Sequence, residues 1–121
     1  MSKILVTDDE KDVVELLKFL LEKDGHKVIT AYNGKDALAL ANENMPDLLL
    51  LDVMMPEMDG YTVQTKLLDN PKTREIPIII LTAKGQLRDV FAMSANVKAY
   101  IEKPFDPKTL RSKIAESLAK A

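Results

Sequence analysis

Four consecutive leucines, Leu48-Leu49-Leu50-Leu51, run straight into Asp52 and are followed by Val53-Met54-Met55-Pro56. An apolar run of this length, bounded by a turn signal, predicts a strand buried on both faces, the kind found in parallel sheets. Around it, short β-branched runs alternate with segments of helical spacing. Ile4-Leu5-Val6-Thr7 predicts a first strand that stops at Asp8-Asp9-Glu10. Val13, Leu16, Leu17, Leu20 and Leu21 then lay one stripe along a helix that ends at Asp24-Gly25, where glycine suits a left-handed cap. Residues 27–32 read as a second strand. Asn33-Gly34 has the composition of a hairpin turn, but Ala37, Leu38 and Ala41 behind it make Asn33 the N-cap of a second helix. Asp59-Gly60 opens a third helix that reaches about Leu68 and must finish before Pro71. Residues 76–81 form a fourth strand with Pro77 at its start, ending at Thr82-Ala83-Lys84. A fourth helix is expected over about residues 86–95. A short fifth strand over 98–101 ends at Glu102-Lys103-Pro104. The last helix starts near Asp106 and packs Leu110, Ile114 and Leu118.

Five strands alternating with five helices through short connections predict an α/β fold, flavodoxin-like and doubly wound, with a five-stranded parallel sheet of order 2-1-3-4-5. The second and fifth strands, with the least continuous apolar character, fall at the edges. No repeat, low-complexity tract or linker interrupts residues 1–121, so one domain with one sizeable core is expected, in keeping with 46% hydrophobic and 30% charged residues. A net charge of −2 provides no basic field for nucleic acid or anionic membrane. The absence of cysteine removes disulfides, thiolate metal sites and cysteine nucleophiles, and is compatible with a reducing cytoplasm. The N-terminus enters an apolar strand at once, which is neither a signal peptide nor a membrane span.

Ligands of open parallel sheets bind beyond the carboxyl ends of the strands. Placing these strands side by side brings Asp8, Asp9, Asp52, Thr82 and Lys103 to one end of the sheet. Taken singly, Asp52 reads as a loop cap, Asp9 and Glu10 as partners of a helix dipole, Thr82 as a cap and Lys103 as a surface residue. Together they are three carboxylates, a hydroxyl and an ammonium. Two carboxylates about 5 Å apart repel by roughly 3 kcal/mol at an effective dielectric near 20, so the cluster calls for a cation. Oxygen ligands without histidine or cysteine suit Mg²⁺. A carboxylate beside Mg²⁺ and a lysine is also an arrangement for nucleophilic attack on phosphorus.

With these residues, the chain resembles the receiver domains of bacterial two-component response regulators, stand-alone chemotaxis-regulator-like type. The resemblance rests on Asp8-Asp9, on Asp52 with Met55-Pro56-Glu57-Met58-Asp59-Gly60, on Leu81-Thr82-Ala83, and on Tyr100-Ile101-Glu102-Lys103-Pro104-Phe105. It implies that Asp52 accepts a phosphoryl group from a phosphohistidine on a sensor histidine kinase or a histidine phosphotransfer protein. It also implies that Asp9 and Asp52 ligate Mg²⁺ directly, with Asp8 acting mainly through water and Met54 through its backbone carbonyl. Lys103 would pair with the phosphoryl, and the Lys103–Pro104 bond would be cis. Thr82 and Tyr100 would form the switch, read by a downstream protein target on the face of the fourth helix, fifth strand and last helix. Such a protein is cytoplasmic and is a monomer or a weak phosphorylation-dependent dimer. It makes no direct nucleic-acid or membrane contact and is a phosphoacceptor with slow autodephosphorylation rather than a turnover enzyme.

Where the family carries glycine four residues before the switch aromatic, this chain has Asn96, the next best residue for a left-handed turn. Met54 and Lys84 occupy the positions that tune hydrolysis in the family, and an apolar Met54 is expected to hinder the attacking water. Met55 and Met58 read as loop packing. His26 reads as a solvated turn residue, and Lys108, Arg111, Lys113 and Lys120 as solvated surface. Three rival functions remain. A magnesium phosphohydrolase resembling the haloacid-dehalogenase group needs an aspartate where Met54 stands, and a flavin or nucleotide binder needs a phosphate-cradling loop where Asp8-Asp9-Glu10 stand. The third is an interaction module that keeps the fold but works without phosphorylation. No output domain follows Ala121, which is expected of a stand-alone protein or of the receiver of a larger regulator.

Overall fold

The computed structural model describes residues 2–55, 57–83 and 95–120. Five strands, β1 (Lys3–Thr7), β2 (Lys27–Ala31), β3 (Leu48–Asp52), β4 (Ile78–Ala83) and β5 (Val97–Lys103), form one sheet of order β2-β1-β3-β4-β5. Every pairing is parallel. The described helices are α1 (Lys11–Lys23), α2 (Gly34–Asn44), α3 (Gly60–Asp69) and α4 (Pro107–Lys120). The helix expected over about residues 86–95 falls almost wholly outside the described residues, so α4 is the last helix of the sequence reading.

The two-residue pleat of β3 divides its leucines between the faces of the sheet. Leu49 and Leu51 join Leu5, Ile78 and Ile80 under Ala37, Ala41, Val63 and Leu67 of α2 and α3. Leu48 and Leu50 join Ile4, Val6, Ile79, Leu81 and Ile101 under Val14, Leu17 and Leu21 of α1 and Leu110 and Ile114 of α4. All four leucines are fully buried, each contributing about 2 kcal/mol by removal from water. The central strand therefore anchors both halves of the core.

Local chemistry sets the element ends. Asn33 caps α2 by accepting the Asp36 N–H at 2.8 Å, and Asp59 caps α3 through the Thr62 N–H at 2.8 Å. Gly25 has a φ of 91°, the left-handed turn expected after α1. Several details depart from expectation. The fourth strand joins the ladder at Ile78 rather than at residue 76 and runs on to Ala83, so Thr82 is a strand residue and not a helix cap. The fifth strand is longer at both ends, and its register contains a bulge. Ile78 pairs with Val97 and Ile79 with Ala99, which leaves Lys98 over.

Asn96 is not among the described residues of positive φ, which apart from Gly25 are Met45 and Glu57. Its side chain is instead buried against α3. Asn96 Oδ1 accepts from Gln64 Nε2 at 2.9 Å, and Nδ2 donates to the Gln64 carbonyl at 3.3 Å. The buried Asn96 amide is satisfied by the side-chain N–H and the backbone carbonyl of Gln64, which outweighs the turn preference. His26 is also not simply solvated. It is half-buried, its N–H donates to the Leu21 carbonyl, and its ring lines a cavity of about 270 Å³ between α1 and α4. Arg111 of α4 is paired rather than free, with Nε 2.8 Å from Asp24 Oδ2 at the rim of that cavity. At 42% and 31% side-chain exposure this pair is worth at most about 1 kcal/mol. No helix among the described residues is long and apolar enough to cross a membrane.

Candidate functional site

The sheet register decides which of the chemical residues meet. Thr7 pairs with Leu51 and Asp52 pairs with Leu81, so Asp8 comes alongside Asp52 one step beyond the β1 ladder. Pleat parity then selects the face. Ile4, Val6, Leu48, Leu50 and Ile101 belong to the α1/α4 face, which puts Asp8, Asp52 and Lys103 on that same face at the carboxyl end of the sheet. Thr82 and Tyr100 follow the other parity. Ile80 pairs with Tyr100 and Thr82 with Glu102, making Thr82 and Tyr100 diagonal neighbours on the α2/α3 face.

Lys103 joins the two buried carboxylates. Its Nζ lies 2.6 Å from Asp8 Oδ2 and 3.3 Å from Asp52 Oδ1, with Glu10 Oε1 at 3.7 Å. Asp8 is fully buried and Asp52 is 4% exposed, whereas Asp9 and Glu10 face solvent. Asp8 Oδ1 also accepts the Glu10 N–H at 2.9 Å, which fixes the loop leaving β1. The Lys103–Pro104 peptide bond is cis.

One lysine does not neutralise this cluster. Burial, then the Asp8 charge, raise the Asp52 carboxyl from 3.8 to about 6, against the opposing pull of Lys103. Burial raises Asp8 as well, outweighing its bonds to Lys103 and to the Glu10 N–H. For Lys103, burial would lower the ammonium, but its hydrogen bond to Asp8 and the charges of Asp52 and Asp8 outweigh burial and raise it. Ionised Asp52 is thus held at a free-energy cost that an added cation relieves.

The carboxylates of Asp8, Asp9 and Glu10 present oxygens within 4.8 Å of one another. Oxygen-only donors fit a hard divalent cation. This set contains Glu10, read from sequence only as a dipole partner. Its signal was direct adjacency to Asp9, and only the fold of the loop brings its oxygen back toward Asp8. Asp52 lies outside the set and is bound into the cluster through Lys103.

The loop after β3 presses α3 against the site. Gly60 N donates to the Val53 carbonyl at 2.9 Å, and a Cβ at Gly60 would meet the Asp52 carbonyl oxygen, with Val53 Cα at 2.9 Å. Only glycine allows this approach. Met54 is 62% exposed beside the site, while Met55 is 8% exposed in the core and Met58 packs on the core, as loop packing requires. Thr82 Oγ1 is buried and has no hydrogen-bond partner among the described residues. Lys84 lies outside the described residues.

The chain matches the response regulator receiver domain family over residues 4–115. It is 38% identical over 120 residues to protein PilH of Pseudomonas aeruginosa, covering 98% of this chain and 99% of that protein. It is 42% identical to the probable transcriptional regulator ycf27 of Porphyra purpurea, covering 99% of this chain and 49% of that protein, so it spans about half the length of such relatives. Among solved structures it is similar to a response regulator receiver domain protein of Clostridium thermocellum. That likeness has a TM-score of 0.89 and 32% identity, covering 99% of this chain and 96% of that one. The receiver domain of the Pseudomonas aeruginosa sensor histidine kinase PA1611, with magnesium coordinated in its active-site cleft, has a TM-score of 0.88 at 25% identity, covering 98% of each chain.

Proposed function

The chain belongs to the response regulator receiver domain family, and from that premise we propose that residues 1–121 act as one phosphorylation-dependent switch with Asp52 as the phosphoacceptor. The observation that carries this reading is the pair of buried carboxylates, Asp8 and Asp52, sharing the Lys103 ammonium on one face of the sheet. Asp52 attacks the phosphorus of a phosphohistidine on a sensor histidine kinase or a histidine phosphotransfer protein. An oxygen–phosphorus bond forms, the phosphorus–nitrogen bond breaks, and the imidazole leaves with the electron pair. Asp8, Asp9, Asp52 and the Met54 backbone carbonyl would hold Mg²⁺, with Glu10 close by. When bound, Mg²⁺ supplies positive charge against the carboxylates and the transferring phosphoryl.

Lys103 remains as the protein's own cation beside the phosphoryl oxygens. Thr82 offers a buried hydroxyl at the neighbouring strand end, and the diagonal placement of Tyr100 lets a turn of Thr82 vacate space on one face of the sheet. These two residues form the switch, read by a downstream protein through β5, α4 and the segment between β4 and β5. The protein is then a cytoplasmic phosphoacceptor, monomeric or weakly dimeric when phosphorylated, with slow autodephosphorylation and no turnover of a separate substrate. Met54, two residues after Asp52, and Lys84, two after Thr82 in the sequence, tune that hydrolysis.

Incubation with acetyl phosphate tests this reading, with adduct followed by intact mass. Wild type is expected to gain one phosphoryl group only when Mg²⁺ is present, and Asp52→Asn to gain none. An unlabelled wild type, under conditions that label a known receiver, would leave the phosphorylation-independent interaction module as the better account. In the same assay, Met54→Asn is expected to shorten the life of the adduct by admitting water. An unchanged decay would remove Met54 from the tuning of hydrolysis.

A further inference from the structure

Gly34 is a glycine that its backbone does not require. Among the described glycines only Gly25 has a positive φ, and Gly34 is the first residue of α2 behind its Asn33 cap, where a helix makes no demand for glycine. What marks the position is the space around it. A Cβ at Gly34 would collide with the Met58 carbonyl oxygen and stand 2.8 Å from Val63 Cγ2 and 3.0 Å from Met58 Cβ. The first obstacle is backbone, which cannot rotate aside as the end of a side chain can.

Met58 belongs to the loop that joins Asp52 at the end of β3 to α3. A second close approach ties the two ends of that loop together. Gly60 N donates to the Val53 carbonyl at 2.9 Å, and Gly60 leaves no room for a Cβ against the Asp52 carbonyl oxygen. Between them Glu57 is held at a φ of 66°, a left-handed conformation uncommon for a residue with a side chain, so the loop has little slack. α2 cannot retreat either, because Ala37 and Ala41 are fully buried in the core. The contacts from Gly34 to Asp52 therefore run through backbone, from Gly34 to Met58 and, two residues on, from Gly60 to Asp52.

Resting on the reading of Asp52 and the Met54 carbonyl as Mg²⁺ ligands, we propose that Gly34 is a positioning residue for the metal site, which by leaving room for the Met58 carbonyl sets where the loop after β3 presents its ligands. A methyl at position 34 displaces Met58, and a loop tied at both ends passes the shift on to Met54 and Asp52. Mg²⁺ is the ion most sensitive to such a shift. It demands near-octahedral oxygens at about 2.0–2.1 Å, whereas Ca²⁺ accepts flexible arrangements at about 2.3–2.6 Å. Gly34 thus acts on how well the site fits Mg²⁺, while the charge of the site is untouched.

Calorimetric titration of the full chain with magnesium chloride and with calcium chloride tests this. Gly34→Ala is expected to weaken Mg²⁺ binding by about 10-fold, the scale on which loss of an outer support acts on a metal site, and Ca²⁺ binding by less than about 3-fold. Asn33→Ala removes the α2 cap without adding bulk, loosens the same turn, and should also weaken Mg²⁺ more than Ca²⁺. Ala39→Gly, at an exposed position of α2, lowers helix propensity away from the loop. It should lower the unfolding midpoint and leave both affinities unchanged.

Unchanged Mg²⁺ affinity in Gly34→Ala, equal losses for the two ions, or the same selective loss in Ala39→Gly would each overturn the proposal. Should Gly34→Ala not fold, an Asn33→Ala protein that keeps the wild-type preference between the ions overturns it instead. Failure of the underlying reading looks different. In that case wild type itself binds no Mg²⁺, and the proposal falls with it.

Discussion

Asp52→Asn is expected to stabilise the metal-free protein at pH 7 by about 2–3 kcal/mol, although it removes the residue on which the proposed function depends. Asp52 is 4% exposed, and its carboxyl is raised from 3.8 to about 6 by burial first and then by the Asp8 charge. A displacement of that size corresponds to about 3 kcal/mol at about 1.36 kcal/mol per tenfold change in proton affinity. The sign follows from linkage. A carboxyl whose folded value lies above its unfolded value binds protons more readily in the folded state. Its contribution is fully present below about pH 4 and is lost as pH rises through about 6. At pH 7 the ionised Asp52 burdens the folded state, and Asn keeps the shape without the charge. Asp8, raised in the same direction, stays in place and leaves part of the pH dependence.

Urea denaturation in a chelating buffer at pH 4.5 and pH 7 measures this. Wild type should lose stability between the two values, and most of that loss should be missing in Asp52→Asn. Mg²⁺ should raise the wild-type midpoint at pH 7, since a ligand bound only by the folded state stabilises by mass action. An Asp52→Asn protein no more stable than wild type at pH 7 would show that Lys103 already neutralises the cluster. The expected outcome is the ordinary trade of a site whose charges are held apart from their counterion.

Lys103→Met is expected to move stability the other way by about 3 kcal/mol at pH 7 without metal. Lys103 is the cation between two buried carboxylates, 2.6 Å from Asp8 and 3.3 Å from Asp52. Breaking a buried pair by removing one partner costs about 3–5 kcal/mol, because the remaining charges are uncompensated. Protonation of Asp52 or Asp8 sets a ceiling on that cost, so the deficit should shrink as pH is lowered toward 5. Asp52→Asn should stabilise Lys103→Met by more than it stabilises wild type, a non-additivity that marks direct coupling. Equal unfolding midpoints for wild type and Lys103→Met at pH 7 would refute the shared-ammonium account. In the acetyl phosphate assay the same substitution should slow labelling by about 10²-fold, the scale on which loss of one charge-stabilising donor acts.

Both expectations rest on contacts across 44 residues between Asp8 and Asp52 and 51 between Asp52 and Lys103. The strands that bring them together were legible locally. Leu48 to Leu51 could only be buried on both faces, and Asn33 and Asp59 carried their capping chemistry in the side chain itself. The resemblance to receiver domains likewise rested on short motifs at strand ends, and the match over residues 4–115 bears it out.

What could not be read locally shares one physical cause. Thr82 looks like a cap because threonine ahead of a helical segment is a favoured N-cap, yet pairing with Glu102 on β5 extends its strand and buries its hydroxyl. Asn96 looks like a left-handed turn residue until the Gln64 amide, 32 positions away, provides a better partner. His26 and Arg111 look solvated until α4 packs beside the end of α1. Glu10 looks like a dipole partner until its carboxylate is placed with those of Asp8 and Asp9.

The sequence by itself determined the alternation of elements, the central position of the leucine strand, the helix caps and the residue types at the carboxyl ends of the strands, because each follows from hydrophobic period or side-chain chemistry within a few residues. Only the tertiary structure decided that Asp8, Asp52 and Lys103 share one face while Thr82 and Tyr100 share the other. Register and pleat parity are properties of paired strands, and the Lys98 bulge reverses that parity near the start of β5. The raised Asp52 carboxyl is likewise a product of burial and of the Asp8 charge beside it, neither of which exists until the sheet has formed.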